Sequence, residues 1–304
     1  MTQKLLLALP AALSLAACGG GGDDEATTTP AQAQYSYTTS SPNWTTTLPA
    51  NLSVYAEQDG TNVTSSQKVA NVDIKQWNAT RGAPDQVDIQ IDGKVITLTY
   101  DPVTQLTSGT HDGKTYYFDY FSNTQRNSNQ TETVAAQVFI VVGDANTRTI
   151  SEIAQGVIGF ETPDSVVAAA TGTANYSGGG EIYYLTANAW EISETQANFA
   201  VDFNTSTISG AIKVDDPTTT SQSSPNTYTF ATISVPPTAL TGNGFSAQPT
   251  VTVNNPGANT YTFSNETING TFYGDSSDVL AGTLSADYTV NGTAGVAVGE
   301  YMAN

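Results

Sequence analysis

The chain of 304 residues offers few side chains for nucleophilic or metal chemistry. Cys18 is its single cysteine and His111 its single histidine, so a metal site built from Cys and His is excluded by count. A catalytic serine needs a base and a turn such as Gly-x-Ser-x-Gly to present it, and that motif does not occur. His111 precedes Asp112-Gly113, a turn signal, and a lone histidine in a turn is typical of solvated surface. These features predict a protein that is not an enzyme and has no cofactor.

Carboxylates are the remaining source of chemistry, because 28 Asp and Glu stand against 9 Lys and Arg. The pairs Asp23-Asp24 and Asp215-Asp216 lack the Asp-x-Asp-x-Asp-Gly spacing of a calcium loop, so no metal site is predicted. A glycosidase needs two carboxylates about 5–9 Å apart, and a chance pair keeps a carboxylate-dependent hydrolase open as a third interpretation. The net charge of −19 excludes nucleic-acid binding, since like charges repel.

Tyrosine is frequent, with 15 residues, and several cluster just after His111. Aromatic side chains with a polar tip are favoured at interfaces, although alternate tyrosines of a strand also line a core or a barrel wall. We take the hairpin around His111, Tyr116, Tyr117 and Tyr120 as the candidate ligand-binding site. Haem ligation by His111 or a nearby tyrosine is a further alternative.

Residues 1–17 predict a signal peptide. Lys4 provides a short positive start, and residues 5–17 form an uncharged run shorter than the roughly 20 residues that span a bilayer. The run ends in Leu15-Ala16-Ala17-Cys18, which resembles the lipobox of bacterial lipoproteins. That resemblance implies that Cys18 is acylated with a diacylglycerol and an N-acyl chain and becomes the mature N-terminus. An ordinary signal peptide that contains a Cys is the alternative.

The segment after Cys18 predicts a flexible tether. Residues 18–34 are rich in Gly, Thr and acidic side chains and have almost nothing to bury. The resemblance to lipoproteins implies an outer-membrane location, because Gly19 stands where Asp favours inner-membrane retention. The protein then faces either the cell surface or the periplasm.

Alternating apolar and polar residues, interrupted by turn signals, predict an all-β fold. Residues 87–91 alternate into Asp92-Gly93, residues 95–100 return as the partner strand, and Asp112-Gly113 repeats the device. Residues 134–142 are apolar except for Gln137 and predict a central, buried strand.

A composition shift near residues 161–170 predicts a domain boundary at 165–166. Residues 166–304 contain about eight evenly spaced strands, which predicts an eight-stranded antiparallel barrel. Gly178-Gly179-Gly180 is interpreted as a bend within the first of these strands.

A series of short motifs in this second half resembles the β-barrel domain of the transferrin-binding protein B family of surface lipoproteins. The resemblance depends on the order of residues 172–178 (GTANYSG), 199–203 (FAVDF) with Gly210 after them, 268–274 (INGTFYG), 279–284 (VLAGTL) and the closing strand 294–301. The family's basic ending is absent here. By position, the resemblance implies that residues 35–165 form an antiparallel β "handle" domain.

The function that the resemblance implies is non-catalytic capture of an extracellular protein, or of a haem- or iron-bearing ligand, by a monomeric lipoprotein held in the membrane through its lipid anchor. The acidic surface favours a basic partner, because complementary potentials speed association. The alternative is a structural or adhesion lipoprotein of the envelope that does not capture a ligand.

Overall fold

The computed structural model describes the chain from residue 47 onward, with gaps, and two antiparallel sheets lie within this part. The described residues belong to a single compact unit. Among the described residues, no helix is long and apolar enough to cross a membrane. The predictions for the signal peptide, Cys18 and the tether lie outside the described residues, which are 47–58, 63–66, 70–78, 81, 83–91, 93–126, 133–144, 149–187, 189–217 and 230–304.

The first sheet has nine antiparallel strands. They are β1 (Thr47–Gln58), β2 (Val63–Ser66), β3 (Ala70–Asn78), β4 (Ala83–Ile91), β5 (Lys94–Asp101), β6 (Leu106–His111), β7 (Lys114–Arg126), β8 (Thr133–Asp144) and β9 (Thr149–Gly159). Strand β1 pairs with β9 along one edge and with β3 and β2 along the other, so the ladder closes on itself. Closure protects edges that otherwise promote aggregation.

Apolar and polar residues alternate along several strands of this closed sheet. Because successive side chains point to opposite faces, the apolar ones fill its inside. In β4 and β5, Val87, Ile89, Ile96 and Leu98 are buried, and they belong to one core cluster with residues of β3, β7, β8 and β9. Strand β8 differs, because residues 134–140 are all buried. This run, apolar except for Gln137, therefore packs on two faces, as the sequence predicts for a central strand.

A short helix, α1 (Asp164–Ala169), follows Pro163 and precedes the second sheet. That sheet also has nine antiparallel strands. They are β10 (Thr173–Thr186), β11 (Trp190–Asp202), β12 (Thr207–Val214), β13 (Ala231–Ala239), β14 (Gly244–Ala247), β15 (Thr250–Val253), β16 (Tyr261–Tyr273), β17 (Val279–Val290) and β18 (Thr293–Ala303).

In the second sheet, the segment formed by β14 and β15 changes its pairing partner in the middle. Strand β14 pairs with β16, and β15 pairs with β13 on the other side. Pro249 lies between β14 and β15, and proline has no N–H to donate to a ladder. The sheet thus has nine hydrogen-bonded strands where the sequence predicts eight. Taking residues 244–253 as one interrupted strand restores the predicted number.

Aromatic side chains fill much of the interior of the second sheet. The Tyr184 ring packs edge-on against Phe230 and Tyr288, with centroids 6.1 and 5.6 Å away. Phe199 and Tyr301 lie 5.1 Å apart. All five are buried in one cluster, so these tyrosines line the core.

The glycines at residues 178–180, where the sequence predicts a bend within a strand, are part of one continuous strand. These glycines lie inside β10 and pair in register with β11 and β18. A Cβ at Gly180 would overlap the carbonyl oxygen of Glu300, and one at Gly178 would overlap that of Met302. Glycine therefore lets the two strands approach closely at these positions.

The outer faces of the two sheets pack on each other through two apolar clusters. In one, Phe139 stacks on Tyr183 with ring centroids 4.8 Å apart. The other brings Val157 of the first sheet against Met302 and Tyr273 of the second. Strands β8, β9, β10 and β18 are consequently buried on both faces where they meet.

Polar residues lie between these two clusters. Gln137, Gln155 and Glu300 each stand two residues from a member of one cluster and two residues from a member of the other along their strands. Glu300 pairs in register with Glu181 on one side and Thr283 on the other. We call these five residues the polar layer. The all-β, antiparallel prediction is confirmed, whereas the domain boundary at 165–166 stays a prediction.

Candidate functional site

His111 lies at the tip of the β6–β7 hairpin. Asp112 and Gly113 form the turn with φ values of 50° and 77°, the positive-φ pair that a tight type I′ hairpin needs. His111 pairs in register with Lys114 directly across it. The turn predicted from Asp112-Gly113 is confirmed.

The neighbouring β4–β5 hairpin brings a second cation to this turn. Nζ of Lys94 donates to Oδ2 of Asp112 at 2.7 Å, and Nε2 of His111 lies 3.5 Å from the same oxygen. The hydrogen bond from Lys94, together with the charge of His111, holds the pKa of Asp112 below its usual value. The side chains of Lys94 and Asp112 are 55% and 64% exposed, so this pair is open to solvent and to a partner.

Lys114 forms an ion pair of a different kind. Its Nζ contacts Oε1 of Glu152, whose side chain is only 2% exposed. Burial raises the pKa of Glu152, because it disfavours the charged form. The other oxygen, Oε2, has no hydrogen-bond partner among the described residues.

We call Lys94, His111, Asp112, Lys114 and Glu152 the hairpin-tip cluster. It offers charged donors and one exposed carboxylate at a rigid end of the first sheet. Such groups recognise complementary charges on a partner surface and fix its orientation. Among the described residues, no group of His, Cys, Asp or Glu is arranged to hold a metal ion.

The tyrosines predicted for this site lie on different faces. Tyr116 packs against the apolar interior of the first sheet. Tyr117 is half-buried and, as the next residue of the strand, points to the opposite face. The backbone of Tyr120 pairs with Val138, and its side chain is outside the description. The structure therefore brings His111 together with lysines and does not bring Tyr116 and Tyr117 onto one surface.

Lys94, Lys114 and Glu152 were not among the residues expected here. A signal for the two lysines exists, because each directly follows Asp-Gly in the repeated sequence Asp-Gly-Lys at residues 92–94 and 112–114. Two such hairpins on neighbouring strand pairs place their lysines at the same end of a sheet. Glu152 has no local signal, since its partner lies 38 residues away.

The fold and the hairpin tip define an all-β protein made of two packed antiparallel sheets, one of which carries a cluster of charged side chains at a hairpin tip. Residues 169–300 match the family model for the C-lobe and N-lobe beta barrels of Tf-binding protein B. Over these residues the resemblance seen in the sequence is confirmed, and the second sheet is a transferrin-binding protein B-like barrel. No curated protein matches the chain.

Three solved TbpB structures are similar to this chain. Intact Ap-TbpB, with its N and C lobes, matches at 17% identity over 82% of this chain and 46% of its own, with a TM-score of 0.46. A TbpB mutant from Haemophilus parasuis Hp5 matches at 18% identity over 80% and 46%, with a TM-score of 0.46. Isotype 1 TbpB from serogroup B Neisseria meningitidis matches at 21% identity over 82% and 42%, with a TM-score of 0.44. This chain spans less than half the length of each.

Proposed function

We propose that this protein is a non-catalytic surface receptor that captures an extracellular protein from its position on the outer membrane, to which acylated Cys18 anchors it. The match of residues 169–300 to the Tf-binding protein B barrel supports the proposal. Iron-bearing proteins of the transferrin type are the first partners to test, and the receptor acts as a monomer.

The hairpin-tip cluster is the proposed contact surface. Lys94 and Lys114 are 55% and 45% exposed and stand beside His111 in a chain whose net charge is −19. The acidic body attracts a basic partner over a distance, whereas Lys94 and Lys114 receive carboxylates of that partner at contact. Opposite signs in one interface fix the orientation of the complex and suppress wrong partners.

Surface capture on intact cells tests this proposal. Cells that express the full lipidated chain are incubated with labelled transferrin and with a panel of labelled serum proteins, and the bound label is measured. Brief protease treatment of the same cells releases peptides from residues 35–304 if the protein faces outward. If the protease removes the bound label together with the protein, the evidence for capture is complete.

Single lysine variants locate the contact. Lys94→Ala is expected to weaken capture about threefold to thirtyfold, which corresponds to the loss of one contact charge. Lys213→Ala removes the same charge from an exposed position in β12 of the second sheet and is expected to leave capture unchanged. Equal weakening by both variants contradicts the proposed surface. Outward exposure without capture of any tested protein favours the alternative, a structural envelope lipoprotein.

A further inference from the structure

The second sheet has an opening where its interrupted strand leaves β16. The opening is partly open to solvent. Its walls come mainly from the barrel interior and include Ile233, Pro249, Val251, Phe263 and Leu284. We call this opening, between β15 and β16, the lateral cleft.

Both strands beside the lateral cleft have backbone available for pairing. Strand β15 pairs with β13 along one edge, and no described strand pairs with its other edge. Strand β16 is irregular at this level, because its register shifts between Ser264 and Thr267 and Asn265 has a φ of 54°. Strands β15 and β16 are not hydrogen-bonded neighbours in the sheet.

The side chains along β15 suit an added strand. Thr250 and Thr252 are exposed, whereas Val251 and Val253 are half-buried and face the barrel interior. A strand lying against this edge would continue that alternation, with apolar side chains entering the cleft and polar side chains facing solvent.

The charge around the lateral cleft favours one kind of added strand. Glu266 is half-buried and lines the lateral cleft. Between Thr173 and Ala303, Lys213 is the single basic residue, and the acidic residues of this stretch outnumber it many times over. A second copy of this chain would bring like charge to the cleft and be repelled.

We propose that the lateral cleft is a second binding site, which takes an extended, basic polypeptide segment of a partner protein by strand addition to β15. The segment's backbone pairs with Thr250–Val253, alternate apolar side chains enter the cleft, and a Lys or Arg meets Glu266. The site lies on the second sheet and is independent of the hairpin-tip cluster.

A short synthetic strand is the probe for this site. The peptide KVTVKV, acetylated and amidated, alternates apolar and polar residues and carries two lysines. Peptide EVTVEV reverses its charge, and KPTPKP keeps the charge but removes the backbone donors that a ladder needs. Titration into the full-length protein in detergent, followed by hydrogen exchange, reports affinity and position. We expect only KVTVKV to bind, and we expect it to slow exchange of the amides of Thr250–Val253.

Two charge variants separate site binding from general attraction. Glu266→Gln is expected to weaken KVTVKV binding about threefold to tenfold at low salt, as for one partly exposed ion pair, and to make it less sensitive to salt. Asp202→Asn changes the net charge by the same amount. Asp202 lies at the end of β11, where it pairs with Thr207 of β12, and its replacement is expected to change affinity little. Circular dichroism checks that both variants fold.

Five results overturn the proposal, and four of them come from the peptides and the charge variants. They are equal weakening by both variants, protection outside Thr250–Val253, equal binding of KPTPKP, and no binding of KVTVKV up to about 1 mM, the weak limit for a docked peptide. Self-association through the same amides also overturns it, since the occupant would then be a second copy. None of these outcomes bears on capture at the hairpin tip, which Lys94→Ala tests separately.

Discussion

Glu181 and Glu300 stand directly opposite each other on β10 and β18, where the backbone N–H of Glu181 donates to Oε1 of Glu300 at 3.2 Å. Glu300 is 3% exposed, and its Oε2 has no hydrogen-bond partner among the described residues. Burial, reinforced by the nearby carboxylate of Glu181, raises the pKa of Glu300 well above its usual value. The folded protein is therefore expected to bind a proton at Glu300, between its two sheets, at pH values where an exposed Glu has released it.

This proton makes stability depend on pH. The folded state binds it at pH values where the unfolded chain has released it, so the stabilisation is complete below the unfolded pKa of Glu and is lost as the pH rises through the folded pKa. We expect the free energy of unfolding, measured with urea, to fall as the pH is raised from 4.5. Glu300→Gln mimics the protonated form and is expected to flatten this fall and to stabilise the protein by more than about 1 kcal/mol at high pH.

Glu191→Gln provides the control, because Glu191 is only half-buried on the neighbouring strand β11. It is expected to leave the slope against pH unchanged. If Glu300→Gln keeps the wild-type slope, the proton is held elsewhere.

The two lysine pairs of the hairpin tip differ in how much stability they carry. Lys114→Met leaves the buried carboxylate of Glu152 without its cation and is expected to destabilise the fold by about 1–3 kcal/mol at pH 7. Lys94→Met breaks an exposed pair with Asp112 and is expected to leave the urea midpoint unchanged within error.

The double variant Lys114→Met with Glu152→Gln checks the cause. Removing the buried charge together with its partner should recover much of the lost stability. A double variant as unstable as Lys114→Met alone would show that the lysine stem, rather than the ion pair, provides the stabilisation.

Gly180→Ala tests the close contact between β10 and β18. The added Cβ would overlap the carbonyl oxygen of Glu300 and push apart two strands that pair over nine residues. We expect a loss of at least about 3 kcal/mol or failure to fold, seen in the yield and the thermal midpoint. Ser177→Ala, on an exposed position of the same strand, should change stability by less than about 0.5 kcal/mol.

Tyr176→Phe tests a long-range hydrogen bond. The Tyr176 hydroxyl donates to the backbone carbonyl of Ser277 at 2.7 Å, and both residues are buried. Removing the donor leaves that carbonyl unpaired, so we expect a loss of about 1–2 kcal/mol in urea unfolding. Tyr261→Phe, which removes the hydroxyl of a half-buried tyrosine at the start of β16, should cost clearly less.

Local patterns in the sequence predict local structure well. Alternation and the Asp112-Gly113 turn yield the strands and the hairpin, because turn chemistry and pleat depend only on near neighbours. Strand β6 escapes such an analysis, since residues 106–111 contain Thr, Ser and Gly in place of apolar alternation. Its strand form comes from its neighbours β5 and β7.

The polar layer could not be predicted in this way. Glu300 follows Val296 and Val298 in a pattern that fits a solvent-facing or a packed outer face equally well. Only the second sheet's docking against β8 and β9 decides that this face is buried. Likewise, Lys94 reaches the site from the neighbouring β4–β5 hairpin. A sequence analysis that considers one hairpin at a time therefore finds His111 and misses Lys94.

The interruption at Pro249 has a consequence for motion. Each half of the interrupted strand is held by only four residue pairs, one half to β16 and the other to β13. Strands β17 and β18, by contrast, share a ladder of eleven pairs. Either short ladder can open without the other. The barrel is therefore closed at this point by two weak strand pairings and not by one continuous ladder. The amides of residues 244–253 should therefore exchange with solvent faster than those of β17 and β18, without global unfolding.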